Sequence, residues 1–173
     1  MVNIGTCAWV STKNESDETC KNVSGEVYLC KKITEDVTGR TFYPDILYRH
    51  PFVEQEIVTG AMPYRTEYTT ELINKHETVI KNSAAGGFLY DMEASSIYQA
   101  GAYFFGPHQM SFLKIMTDEG NVLGLSAEIL KQSVADTVPE IRSYLDELMK
   151  LQEEQKLTYM FITHDMGVMR NVS

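Results

Sequence analysis

Short β-branched apolar runs that alternate with stretches of helical periodicity constrain this chain more than any other feature of its sequence. Val2–Val10, Glu26–Ile33, Phe88–Tyr90 and Met110–Met116 are each brief and rich in residues that suit a pleated surface. Gly5 interrupts the first run, which predicts a strand turning into a tight loop. Over 66–82, Leu72, Ile73, His76, Val79 and Ile80 share a face at spacings of three and four, predicting a helix. Residues 93–105 are alanine-rich and apolar on most sides, predicting a buried helix that Gly106-Pro107 ends sharply. Ser126 caps a further helix with Glu128 in its first turn, and Pro139 begins another over 140–156, striped by Ile141, Leu145, Leu148 and Leu151. Residues 11–24 are polar and unperiodic, hence a loop. Pro44 and Pro51 disfavour helix at the residue before each, so 43–51 is extended or irregular. The alternation predicts an α/β architecture with a mixed, mainly parallel sheet flanked by helices.

Composition narrows the partners. With 173 residues and 43% apolar content the chain is expected to form a single domain. Fifteen Lys and Arg against 24 Asp and Glu leave a net charge of -9, without the basic stripe a nucleic-acid backbone requires. No run reaches the roughly 18 apolar residues of a membrane span, and Met1–Gly5 lacks the pattern of a signal peptide. Cys7, Cys20 and Cys30 make an odd count with no CxxC spacing, as expected of reduced thiols in a cytoplasm. His50, His76, His108 and His164 are scattered singly, so no metal site is expected.

In α/β sheets ligands bind beyond the carboxyl ends of strands, and three polar signals fall there: Gly5-Thr6, Asp91-Met92-Glu93 and Thr117-Asp118. Each has a plain reading and a functional one. Asp118 is a solvated turn acid, or a general acid at a cleft rim. Glu93 is a first-turn glutamate favoured by the helix dipole, or a carboxylate that holds sugar hydroxyls and faces a developing positive charge. Met92 is core filler or cleft wall. Gly5-Thr6 lets backbone N–H groups approach an anion or hydroxyl.

Asp91-Met92-Glu93-Ala94, then Ile97-Tyr98-Gln99-Ala100, then Leu113–Asp118 resemble the nucleoside phosphorylase and nucleosidase superfamily. That group includes the methylthioadenosine/S-adenosylhomocysteine nucleosidases. Its hallmarks are a strand ending in Met-Glu at the start of a helix, then a strand ending in Ser-Asp, here Thr117-Asp118. Val2–Ala8 is similar to the family's Gly-Ser/Thr strand, and Ser24–Val27 resembles its Gly-Asp-Val. The resemblance implies cleavage of the N-glycosidic bond of a purine nucleoside or thionucleoside. Met92 and Glu93 would hold the ribose, Asp118 would protonate the base at N7, and Gly5 and Thr6 would sit near the phosphate or attacking water. It implies no cofactor, with phosphate as co-substrate in a phosphorylase, and a homo-oligomer. Asn3 stands where hexameric phosphorylases carry arginine, which points toward hydrolysis. Set against the family, the chain is expected to lack the first strands, and a binding module that keeps the fold without the activity is the alternative.

Residues 1–156 carry this resemblance. Within 157–173, Leu157–Asp165 is instead similar to the switch-histidine segment of peptide-transporter ATPases, through His164. No Gly-x-x-x-x-Gly-Lys-Ser/Thr run accompanies it, so ATP hydrolysis is not expected. Physically, the tail reads as an apolar strand able to pair with an open sheet edge.

Overall fold

The computed structural model describes residues 1–11, 25–76, 86–120, 127–155 and 161–163. Their strands are β1 (Val2–Ser11), β2 (Val27–Glu35), β3 (Thr41–Phe42), β4 (Val53–Thr59), β5 (Gly87–Asp91), β6 (Ser111–Asp118) and β7 (Phe161–Thr163). The helices are α1 (Thr69–Lys75), α2 (Ala94–Gly101) and α3 (Ala127–Gln155), with 3₁₀ turns at Thr66–Tyr68 and Pro107–Gln109.

The chain is α/β with one mixed sheet in the order β3-β2-β4-β5-β1-β6, and β7 beside β1. Four pairings are parallel and three antiparallel. The expected sheet between flanking helices needs correction. β6 also pairs with β2, from Val27↔Ile115 to Leu29↔Leu113, so the sheet curls partly closed on itself. Alternation along the strands then separates an inside from an outside. Cys7, Trp9, Tyr28, Cys30, Ile57, Leu89, Phe112 and Met116 fill the inner face, joined by Ala94 and Tyr98 of α2. Val2, Ile4, Leu29, Leu113 and Ile115 face outward beneath α3. Val10, Val58, Phe88 and Tyr90 form a third cluster with Leu72 of α1.

Other expectations change for identifiable reasons. β1 does not stop at Gly5 but runs ten residues, because its first half pairs with β6 and its second with β5. Gly5 and Thr6 therefore lie mid-strand. The two helices expected around Pro139 are one helix. Val134, Ile141, Tyr144, Leu145 and Leu148 keep a single buried stripe across the proline, and the Thr137 hydroxyl donates to the Val134 carbonyl at 2.8 Å just before it. The helix begun at Glu93 ends at Gly101, and Tyr103 and Phe104 beyond it are 87% and 81% exposed rather than buried. Within 66–82 the α-helix is Thr69–Lys75; positions 77–82, Cys20, Ser126 and His164 lie outside the described residues. Phe161–Thr163 pairs in parallel with Val2–Ile4.

Asp36, just after β2, ties this turn to α1. Its Oδ1 lies 2.7 Å from His76 Nε2 and 2.9 Å from Lys75 Nζ, and its backbone N–H donates to the Thr59 carbonyl. Burial alone would raise the Asp36 carboxyl, but the hydrogen bonds from His76 and Lys75 win and hold it below its ordinary value. The stability this supplies is present above the ordinary carboxylate range and is lost as pH falls through the lowered one. Urea midpoints measured from about pH 5 down to about pH 2 should fall less steeply in Asp36→Asn than in the parent.

Candidate functional site

A cleft of about 500 Å³ opens where β1, β5 and β6 meet. Gly5, Thr6, Met92, Glu93 and Asp118, the five residues singled out in the sequence, all line it. Tyr64, Tyr90, Pro63, Leu130 and Val134 supply an apolar and aromatic wall. Its charged lining side chains are Asp91, Glu93 and Asp118, all acidic.

A buried ion pair holds the floor. Lys114 Nζ lies 2.7 Å from Asp91 Oδ2, and both side chains are almost wholly buried. Asp91 Oδ2 also accepts the Ala94 N–H at 3.0 Å, and Oδ1 accepts the Thr59 hydroxyl at 2.7 Å. The same Thr59 oxygen accepts the Ser95 N–H at 3.1 Å. Asp91 and Thr59 thus take the first orphan donors of α2. Glu93, at the N-cap position, makes no side-chain capping bond and lines the cleft. Burial would lower the Lys114 ammonium, but Asp91 overrides it and keeps it raised, hence charged.

Gly5 leaves room for this pair. A Cβ there would sit 3.0 Å from Lys114 Nζ, so the ammonium that Asp91 holds would have to give by a few tenths of an ångström. Gly120 is required for two reasons: its φ is +85°, and a Cβ would approach Tyr64 Cε1 to 2.4 Å. The turn it makes lets its N–H donate to Asp118 Oδ1 at 2.8 Å, while Tyr64 packs against it with its hydroxyl 2.6 Å from Thr69 Oγ1. Burial raises the Tyr64 phenol above its ordinary value.

Cys7 also lines the cleft. Burial pushes its thiol well up, which leaves it protonated and a poor nucleophile. Asn3 is fully buried, its amide has no hydrogen-bond partner among the described residues, and it is not among the residues lining the cleft. Among the described residues no group of three or more His, Cys, Asp or Glu is placed to hold a metal ion, and no helix is long and apolar enough to cross a membrane.

Sequence reasoning singled out neither Lys114 nor the anchoring role of Asp91. The available signal was a lone lysine inside the apolar run Phe112-Leu113-Lys114-Ile115-Met116, which a buried strand tolerates only with a carboxylate opposite.

No family model and no curated protein sequence matches the chain. Its fold is nevertheless shared with solved nucleosidases. A 5'-methylthioadenosine/S-adenosylhomocysteine nucleosidase from Neisseria meningitidis, in complex with methylthio-immucillin-A, superposes with a TM-score of 0.56 at 16% identity, covering 78% of this chain and 63% of that one. Another MTA/SAH nucleosidase gives 0.55 at 13% identity over 87% and 60% of the two chains. The nucleosidase of Chlamydia trachomatis gives 0.52 at 17% identity over 83% and 64%. The chain spans less than two thirds of the length of these structures. The mixed α/β fold implied by the strand-end motifs is therefore observed, but as a partly closed sheet rather than one between flanking helices.

Removing Lys114 alone would strand a buried Asp91 carboxylate. Lys114→Met is expected to cost about 3–5 kcal/mol of stability. Adding Asp91→Asn should restore part of that loss, read as a non-additive cycle in urea unfolding.

Proposed function

We propose that the cleft binds a purine nucleoside or thionucleoside and hydrolyses its N-glycosidic bond, releasing free base. The observation that carries this reading is the meeting of two carboxyl groups from separate strand ends, Glu93 after β5 and Asp118 at the end of β6, in one apolar and aromatic cleft.

Glycosidic cleavage passes through an oxocarbenium-like sugar, so it needs a proton for the departing base and negative charge near the sugar. In the proposed reaction Asp118 gives its proton to a ring nitrogen of the base as the C1'–N bond breaks and its electron pair leaves with the base. Glu93, with Met92 beside it, holds the ribose hydroxyls and offsets the positive charge that develops on the ring. Water then adds to C1', near Gly5 and Thr6, and releases a proton. Tyr64 and Tyr90 offer ring faces to a flat, apolar base.

Hydrolysis rather than phosphorolysis is favoured by the charge of the cleft. Asp91 consumes the Lys114 ammonium, so a phosphate dianion would enter among Glu93 and Asp118 without a matching cation on the described lining.

A base-release assay over a nucleoside panel, with and without phosphate, tests the reading. Release from methylthioadenosine or a purine nucleoside is expected at a rate that phosphate does not raise. Asp118→Asn should lower turnover by about 10²-fold or more, and Glu93→Gln by about 10²-fold. Tight nucleoside binding with no base released would instead identify a binding module on the same fold, and neither binding nor release would end the proposal.

A further inference from the structure

The end of β6 is irregular at one residue. Cys7 pairs with Met116 and Ala8 with Asp118, so Thr117 is an extra residue bulged out of the β1–β6 ladder. Bulges recur beside active sites because they re-aim the next side chain; here the next side chain is Asp118. Thr117 is buried, and its Oγ1 lies 3.2 Å from the Cys7 carbonyl oxygen and 3.0 Å from Asp118 Oδ2. A hydroxyl has one proton to donate. It satisfies the Cys7 carbonyl or the Asp118 carboxylate, but not both at full strength.

We propose that Thr117 is a positioning residue whose hydroxyl turns from the Cys7 carbonyl to the Asp118 carboxylate as Asp118 loses its proton. While Asp118 is neutral it presents no anion, and the Thr117 proton rests on the Cys7 oxygen. When the Asp118 O–H bond breaks and the proton passes to the leaving base, the new carboxylate attracts the Thr117 O–H at Oδ2. Gly120 N–H already donates to Oδ1 at 2.8 Å. The two donors then stabilise charge where and when it appears, which is what a hydrogen-bond donor must do to speed a proton transfer. The kinetic part of this inference rests on the proposed nucleosidase reaction; the hydroxyl switch itself requires only that Asp118 titrate.

Among the described residues, the other ionisable groups near Asp118 are Cys7 on β1, Tyr64 before α1, Glu119 beside it in the chain, and Asp91 and Glu93 on the same cleft lining. Among the described residues α3 lines the cleft with Leu130 and Val134. The Thr117 hydroxyl is in hydrogen-bond reach of Oδ2 and so is placed to answer a change of charge there.

The deciding measurement is the carboxyl ¹³C titration of Asp118 by NMR in the ligand-free full chain, for the parent, Thr117→Val and Thr117→Ser. Losing a donor to the ionised form favours the protonated one, so the midpoint in Thr117→Val should move up by about one pH unit. Thr117→Ser, which keeps the hydroxyl, should titrate like the parent. If valine does not fold in the bulge, Thr117→Ala removes the same donor and should show the same upward shift. A midpoint unmoved or lowered in the hydroxyl-free variant overturns the inference. Where the parent releases base, Thr117→Val should turn over about tenfold more slowly, with the alkaline fall of its rate moved to higher pH. A slower variant with an unmoved pH profile would mean a merely structural role and also overturns it. Should the parent release no base at all, the nucleosidase reading fails while the NMR titration still decides the switch.

Discussion

The 2.7 Å contact between Lys114 and Asp91 fixes the relation of three strands and a helix. Lys114 stands in the middle of β6, Asp91 ends β5, Gly5 of β1 lies against the ammonium, and the Asp91 carboxylate holds the first N–H of α2. Neither charge tolerates burial alone, since each isolated ion would lose several kcal/mol of hydration. Together with the Thr59 hydroxyl they form a satisfied network. Any shift of β5 against β6 breaks the pair, so the two strand ends that carry Glu93 and Asp118 are held in one register. The ion pair need not add net stability to do this; its value lies in geometry.

The two carboxyl groups at the rim are delivered by different devices. Glu93 arrives because Asp91 and Thr59 serve the start of α2, which relieves the N-cap residue of that duty. Asp118 arrives because β6 carries one residue more than β1 at Thr117, and because Gly120 adopts a positive φ that closes the turn on Tyr64. One device is a cap supplied from two residues before the N-cap position, the other a bulge followed by a left-handed turn. Both place a carboxyl in an apolar cleft while leaving the flanking backbone hydrogen-bonded, which keeps the cost of the polar rim low.

Legibility in the sequence followed the range of the interaction. Strand positions were readable from β-branched runs, since a run such as Phe112–Met116 encodes its burial locally. The strand-end carboxylates were readable because Met92-Glu93 and Thr117-Asp118 are contiguous signals. Closure of the sheet was not, because it depends on β2 meeting β6 across more than eighty residues, and nothing in Val27–Leu29 names its partner. Pro139 misled for a similar reason: its local meaning is a helix start, but the stripe from Val134 to Leu148 is held against the outer sheet face and carries the helix through. Gly5 misled in the opposite direction. It reads as a break, whereas its missing side chain makes room for Lys114 from the neighbouring strand.

These long-range features also bear on which ligands suit the cleft. Had Lys114 been free, the floor beneath Gly5 would be an anion site. Asp91 neutralises it, and the other charged residues on the described lining, Glu93 and Asp118, are acidic, on a chain whose net charge is -9. A nucleotide carrying a 5'-phosphate would meet like charge at close range with little water to screen it, and inorganic phosphate would fare no better. Under the proposed function a neutral nucleoside would meet none of that repulsion and would pack along Tyr64, Leu130 and Val134 on the wall. In the proposed reaction the developing positive charge on its sugar is met by Glu93, while Asp118 supplies the proton for the base. On the proposed reading, preference for a neutral substrate and stabilisation of a cationic transition state share one arrangement, in which Asp91 neutralises the buried lysine inside the fold.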